Sequence, residues 1–330
     1  MTVKLGPVIY RPVSAEGGTS GNPKIIRDVS ANHEALLFKQ GRILEESFGI
    51  GPTAFDHWQR PSRVALFFLK NYVLRRVDRV RSAVWAIDDM SPGSYYHWTV
   101  DCLARIVSAE PLCADDTVLL VPRYFQIDPF VEYTLSAFPA VTVRWIEHKR
   151  NVAVDQLIWS PRFPPYDRNR PPEYKRELIV EVARRLSQLA GQGSGPRRIY
   201  LSRAQAGRRK LANETEVVKL LRDHDVETLH IDASKPWEQI QAASAAELIV
   251  GVHGAALTNA MFLQPGARLL ELHYPLDAQR TGFYDCFKPL CETVGVRYTD
   301  LDCDLADPAD QDKHNAELVV DLDQLREQLR

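Results

Sequence analysis

The chain has no apolar run long enough to span a bilayer, and its opening residues, MTVKLGPVIYRPV, lack the basic start and apolar core of a signal peptide. Any membrane contact is therefore expected to be peripheral. No GxGxxG follows a predicted strand, which leaves dinucleotide redox chemistry poorly supported, and no GxxxxGKS/T occurs, which argues against a P-loop nucleotidase. Excess charge of either sign is missing too. The net charge is −2 over 330 residues, and no aromatic stacking motif interleaves the basic residues, so nucleic acid is not the expected partner. Five cysteines (Cys102, Cys113, Cys286, Cys291, Cys303) are an odd number without paired metal spacing; reduced thiols in a cytosolic protein explain them best.

What is present is an α/β rhythm. Length suggests two domains, each able to bury its own core. Residues 1–60 are the least readable, with a loop at 17–23. Strands are expected at 64–69, 82–87, 117–121, 141–146 and 156–159, and helices at 127–138 and 173–190. Prolines between 161 and 172 mark an irregular crossing segment. Gly191 to Pro196 reads as a flexible break, which places the boundary there: 1–190 and 191–330. Beyond it, strands at 198–201, 227–231, 248–250, 269–272 and 296–301 alternate with helices at 214–224, 236–246, 281–294 and 320–329. Asn213 is the expected cap of the first of these helices. The fold class is α/β, with parallel sheets covered on both sides and a cleft between two Rossmann-like halves.

The chain is organised around 247–275, ELIVGVHGAALTNAMFLQPGARLLELHYP. A buried strand breaks at Gly251-Val252-His253-Gly254, and Ala255-Ala256-Leu257-Thr258-Asn259 opens a helix with little side-chain bulk. Small residues there let an anion reach free backbone N–H groups. Glu271 ends the next strand, at the edge where ligands gather, as an acid able to hold a ribose diol. Arg203, Arg208 and Arg209 follow another strand end and suit phosphate oxygens. In the first half, Ser94 can cap a helix that sets His97, Asp101 and Arg105 four residues apart on one face. A carboxylate so placed can serve as a general base, with the histidine orienting or polarising a partner. Two further clusters read more simply: Arg75, Arg76, Arg79 and Arg81 as a solvated basic face, and Asp302-Cys303-Asp304 as a solvated acidic loop rather than a metal-holding DxD triplet.

Three segments together resemble the glycosyltransferase 61 family: YYHWTVDCLARI at 95–106, RRIYLSR followed by RRKLANETEVV at 197–218, and the stretch 238–275. The sequence departs from the family at Ala104, where many members have proline. The resemblance implies a GT-B-like architecture and inverting, metal-independent transfer from a nucleotide sugar, UDP-linked, to a glycan or lipid-linked acceptor. It implies Asp101 as catalytic base with His97 beside it, and a diphosphate held by Arg203 and the HGA turn (His253, Gly254, Ala255, Ala256). No cofactor beyond the donor is implied. Bacterial members often build capsules, lipopolysaccharide or exopolysaccharide, which with the missing anchor suits a cytoplasmic enzyme. The rivals are a non-catalytic nucleotide-sugar-binding partner and a metal-dependent transferase using Asp302 and Asp304.

Overall fold

The computed structural model describes residues 22–48, 65–67, 69–162, 173–232, 234–274, 285–310 and 315–330. Most of the expected loop at 17–23, most of the proline-rich segment and the first residues of the helix expected from 281 lie outside them. The chain divides into two compact units, 1–166 and 167–330. That corrects the boundary expected at 190/191. The helix α3 (Arg176–Ala190) buries Leu178, Ile179, Val182 and Leu186 and stays with the second unit, where Gln241 Nε2 donates to its Ala190 carbonyl at 2.6 Å. Of the glycines after it, Gly193 serves close packing, since a Cβ there would come within 3.0 Å of the Ser244–Ala245 backbone, while Gly191 and Gly195 turn the chain at positive φ.

The first unit is built on β1 (Lys24–Asn32), β2 (Leu37–Lys39), β3 (Arg42–Ile43), β4 (Arg76–Trp85), β5 (Val118–Pro122), β6 (Thr142–Ile146) and β7 (Arg150–Trp159). They form one sheet in the order β3-β2-β1-β7-β4-β5-β6. Strands β7, β4, β5 and β6 run parallel, as the alternation predicts. Strand β1 is antiparallel to β7, and short turns carry it into β2 and β3, so this sheet is mixed. The strand expected at 64–69 is absent. Residues 65–67 are helical and Leu69–Leu74 forms a π-helical turn, because Phe67 fills a small apolar cluster with Leu36, Phe38 and Ile43. Asn71 pins the turn: its Nδ2 donates to the Phe67 carbonyl at 3.0 Å, and its Oδ1 accepts from Asn32 Nδ2 at 3.1 Å. The two helices used below are α1 (Leu103–Ala109) and α2 (Pro129–Leu135).

The second unit carries five strands, β8 (Arg198–Ser202), β9 (Glu227–His230), β10 (Leu248–Val252), β11 (Arg268–His273) and β12 (Arg297–Asp302), all parallel in the order β12-β11-β10-β8-β9. This is the expected Rossmann-like half. On one face, Tyr200, Val250 and Leu270 share a core with Val217 and Leu221 of α4 (Glu214–Arg222) and with Leu325 and Leu329 of the closing helix α7 (Leu322–Leu329). The closing helix therefore packs within its own unit. The opposite face is covered by α3, α5 (Pro236–Ala245) and α6 (Phe287–Val294). Asn213 does not cap α4 as expected; its side chain clasps Val320 through both the backbone N–H (3.0 Å) and the carbonyl (2.8 Å). Asp321 caps α7, accepting from the N–H groups of Asp323 and Gln324.

Candidate active site

In the first unit the carboxyl ends of β4 and β7 bring a charged cluster together. Ser94 starts the next helical segment as expected, its Oγ accepting from His97 N–H at 3.3 Å. His97–Cys102 then forms a π-helical turn before α1 begins. Single π turns inside helices are frequent at functional sites. His97 Nδ1 lies 2.8 Å from Asp101 Oδ2. Arg162, in the irregular segment after β7, sets one Nη nitrogen against the same Asp101 oxygen and 2.7 Å from His97 Nδ1. The Asp101 side chain is 3% exposed and that of His97 14%. Burial alone would raise the Asp101 pKa; the Arg162 charge and the hydrogen bonds from His97 and Arg162 overcome this and hold it below the ordinary carboxylate range. Imidazole Nε2 is the atom of the pair left to meet a substrate.

Arg105 is not the third member of that row. It is fully buried, donates from Nε to the Ser160 carbonyl at 2.7 Å, and pairs through Nη1 with Asp88 Oδ2 at 3.2 Å. Asp88 in turn accepts from Met90 N–H and Ser91 Oγ, so this ion pair ties the loop after β4 to α1 and to the end of β7. Trp98 and Tyr95 supply the crowded setting that the aromatic residues suggest: Trp98 Nε1 donates to Thr134 Oγ1 of α2 at 2.8 Å, and the Tyr95 ring packs edge-on to Phe130.

In the second unit the strand–glycine–helix turn forms as read, with the helix Ala255–Phe262 wound as a 3₁₀ helix. Its first N–H groups, at Ala255 and Ala256, precede the first intrahelical bond, Leu257 N–H to the Gly254 carbonyl at 2.9 Å. Gly251 admits Leu257, whose Cδ2 would lie 2.8 Å from a Cβ there. Gly254 is where the first expected arginine arrives: an added Cβ would sit 2.4 Å from Arg203 Nη1. Arg203 Nη2 donates to the Arg208 carbonyl at 3.1 Å, and Arg209 Nη1 to the His253 carbonyl at 3.0 Å. The Nε atoms of both Arg203 and Arg209 are buried with no hydrogen-bond partner. Burial pushes both guanidinium pKa values down, reinforced at Arg203 by the Arg208 charge and at Arg209, which falls to about 10, by Arg203 and Arg208. Arg208 instead turns its Nη1 to Asn315 Oδ1 at 3.1 Å. Two neighbouring guanidinium groups without a bonded carboxylate among the described residues are chemically suited to an anion.

Glu271, expected at a ribose, is committed to the fold. It is 1% exposed; Oε1 lies 2.5 Å from His253 Nδ1, and Oε2 accepts from Tyr298 Oη at 2.8 Å. It is therefore a positioning residue for His253. Burial, then the charges of Arg209 and Arg203, lower the His253 pKa to about 3, so the imidazole is neutral and its Nδ1 hydrogen points at Glu271. His253, Glu271 and His273 form the one group of possible metal ligands among the described residues, with ligand atoms within 4.8 Å of one another. A His–Glu–His set suits zinc, but His253 and Glu271 are joined at hydrogen-bond distance, and His273 Nδ1 is directed to the Tyr274 carbonyl at 2.8 Å. The cluster thus fits a hydrogen-bonded network better than an ion. Asp302 and Asp304 are not part of any such group among the described residues.

The buried neutral histidine has a consequence for stability. On unfolding, His253 recovers its ordinary pKa of 6.5, so the unfolded chain takes up a proton the folded one refuses once pH falls below about 6.5. Stability should drop by on the order of 2 kcal/mol between pH 7.5 and 5. His33, lowered to about 4 by burial and then by Arg75, acts in the same direction. The depressed Asp101 contributes only at lower pH, where its carboxylate protonates. Denaturant melts across this range, compared with His253→Gln, measure the effect; a variant whose pH slope equals the wild type would show that His253 is not held neutral.

Reading the sequence alone missed Arg162 as partner of Asp101, and a cavity of about 240 Å³ in the second unit. Its floor is Ile199, Leu201 and Leu229, and its rim includes Asp232, Lys235 and Asn259. Asn259, expected at the anion, lines this cavity instead, donating from Nδ2 to the Ala256 carbonyl at 3.0 Å.

A Rossmann-like second unit with all-parallel strands, joined in one chain to a first α/β unit on a mixed sheet, fits the GT-B-like class. A family model described as Glycosyltransferase 61 matches residues 95–270, more than half the chain. The chain belongs to the glycosyltransferase 61 family. It is also similar to an EGF domain-specific O-linked N-acetylglucosamine transferase of Drosophila melanogaster, 30% identical over 119 residues. That alignment covers 35% of this chain and 22% of the fly protein, about a fifth of the relative's length.

Proposed function

We propose that the chain transfers a sugar from a UDP-linked donor to a glycan or lipid-linked acceptor hydroxyl, with inversion and with no metal required. The observation that carries this reading is a pair of guanidinium groups at one turn, half-buried Arg203 against Gly254 and buried Arg209 on the His253 carbonyl, with no bonded carboxylate among the described residues. The acceptor oxygen attacks the anomeric carbon as the bond to the diphosphate breaks. The hydroxyl proton passes to His97 Nε2, with Asp101 holding the imidazole, which refines the expectation that Asp101 takes it alone. Negative charge arriving on the nucleoside diphosphate is met by Arg203, Arg209 and the N–H groups of Ala255 and Ala256. Neutral His253 shapes the turn through Glu271 rather than donating. The cavity bounded by Ile231, Asp232 and Asn259 receives the base.

N-acetylglucosamine is the first sugar to test, because the fly relative is named for its transfer. Five free cysteines favour a reducing compartment. No described helix is long and apolar enough to cross a membrane. A role in cell-surface polysaccharide synthesis from the cytoplasm is the setting we infer from these features and the family.

UDP binding tests the seat. Gly254→Ala must displace Arg203, since its Cβ would meet the guanidinium; losing a charge-assisted hydrogen bond pair weakens affinity about 10- to 100-fold. Calorimetric titration with UDP should show that loss for Gly254→Ala and Arg203→Ala alike. Unchanged UDP affinity in both, or preference for nucleotides without a diphosphate, would remove the proposal. Release of UDP from UDP-N-acetylglucosamine on adding acceptor glycans then separates an enzyme from a non-catalytic binder.

A further inference from the structure

Of the twelve large hydrophobic side chains exposed among the described residues, six fall between 66 and 77: Leu66, Leu69, Tyr72, Val73, Leu74 and Val77. Val73 is 71% and Leu74 67% exposed. Such crowding within one short stretch is unlike the single scattered apolar residues of an ordinary surface. It is also contiguous in space. Asn71, at the centre of the π turn, is bonded to Asn32 and Asn151, and these two share one cross-sheet row with Val77. The π turn and the amino end of β4 therefore occupy the same side of the sheet, and alternation along β4 puts Arg79 and Arg81 beside Val77.

Charge in this stretch is one-sided. Residues 65–81 contain Lys70, Arg75, Arg76, Arg79 and Arg81 against the single acid Asp78, which Arg144 and Arg150 already approach at 3.6 and 3.5 Å. Arg75 is held by Glu34, and Arg81 lies 3.6 Å from Asp116. On the Val77 face Arg79 and Arg81 are exposed, and Arg79 has no ion-pair partner among the described residues; Arg76 lies on the opposite face of β4. We propose that this surface docks the first unit on an anionic phospholipid bilayer, with Val73, Leu74 and Val77 entering the headgroup boundary and Arg79 and Arg81 meeting lipid phosphates. Aliphatic side chains beside exposed arginines fit that interface. Nucleic acid is less suited, because Tyr72, the one exposed aromatic side chain among the described residues of the patch, is tied to Gly41 N–H and to the Phe38 ring. A second copy would bring like charges face to face. This inference stands independently of the donor site.

The test is flotation of the full chain with vesicles of phosphatidylcholine alone or with one-third phosphatidylglycerol, at low and at 0.5 M salt. Wild type should float with the anionic vesicles only, and high salt should release most of it. Arg79→Glu with Arg81→Glu, and separately Val73→Ser with Leu74→Ser, should each weaken binding at least tenfold while melting temperature and UDP affinity stay unchanged. Equal binding to neutral vesicles, no binding at all, or variants that bind like wild type would overturn it. So would binding of an RNA oligonucleotide in preference to vesicles, or a dimer in light scattering that these substitutions abolish.

Discussion

Asp101→Asn should lower sugar transfer about a thousandfold while UDP affinity changes less than twofold. Asparagine keeps the volume and still accepts from Arg162, but it no longer carries the charge that stabilises an imidazolium at His97, and loss of general-base assistance costs about 10²–10⁴ in rate. On the proposed reading donor affinity is set through Arg203 and Arg209 of the second unit, so the substitution at Asp101 should leave it almost unchanged. His97→Gln should match it in rate loss, and the double variant should be little worse than either alone, because the two act as one proton-accepting unit. Single-turnover measurement of UDP release with saturating donor reads the rate, and titration reads the affinity. A parallel loss of transfer and of UDP binding would make Asp101 a structural residue. Full activity in His97→Gln would return the proton to Asp101 itself.

Arg105→Ala should cost about 3–5 kcal/mol of folding stability, the expected penalty for leaving Asp88 buried without its cation. For a unit of this size that is roughly 10 °C in melting temperature. The guanidinium also carries the Ser160 carbonyl and lies over the Trp159 ring, so the loss includes packing. The companion Asp88→Asn with Arg105→Met should recover part of the loss, since neither charge then remains buried. Arg105→Lys should recover little, because a single ammonium cannot reach both acceptors. Differential scanning calorimetry decides it. If Arg105→Ala melted like the wild type but transferred slowly, the residue would belong to the chemistry after all.

What the sequence disclosed, and what it withheld, follows from how locally each feature is determined. His97 and Asp101 are four residues apart, and any helical winding brings such a pair together, so their partnership was readable. Arg162 lies 61 residues from Asp101 and emerges from a proline-rich segment with no periodicity, which left its position unreadable. The parallel strands of the second unit announced themselves as short apolar runs buried on both faces. Strand β1, KIIRDVSAN, has an exposed half and a buried half, so neither the alternating nor the continuous pattern marked it. Among Arg203, Arg208 and Arg209, spacing cannot say which side chains turn inward. Arg209 does so from a backbone at φ 54°, a local conformation that composition does not encode. Glu271 was placed correctly at a strand end but given the wrong partner, since Tyr298 of the neighbouring strand takes its second oxygen.

The turn at Gly254 gathers cations that repel one another, and two of their guanidinium Nε atoms are buried with no hydrogen-bond partner among the described residues. On the proposed reading an anion bound there would do two jobs: it would take up a site, and it would offset a repulsion built into the scaffold. Any small multivalent anion in the buffer would share in that relief, so phosphate or sulfate would mask the proposed occupant as surely as a competitor does.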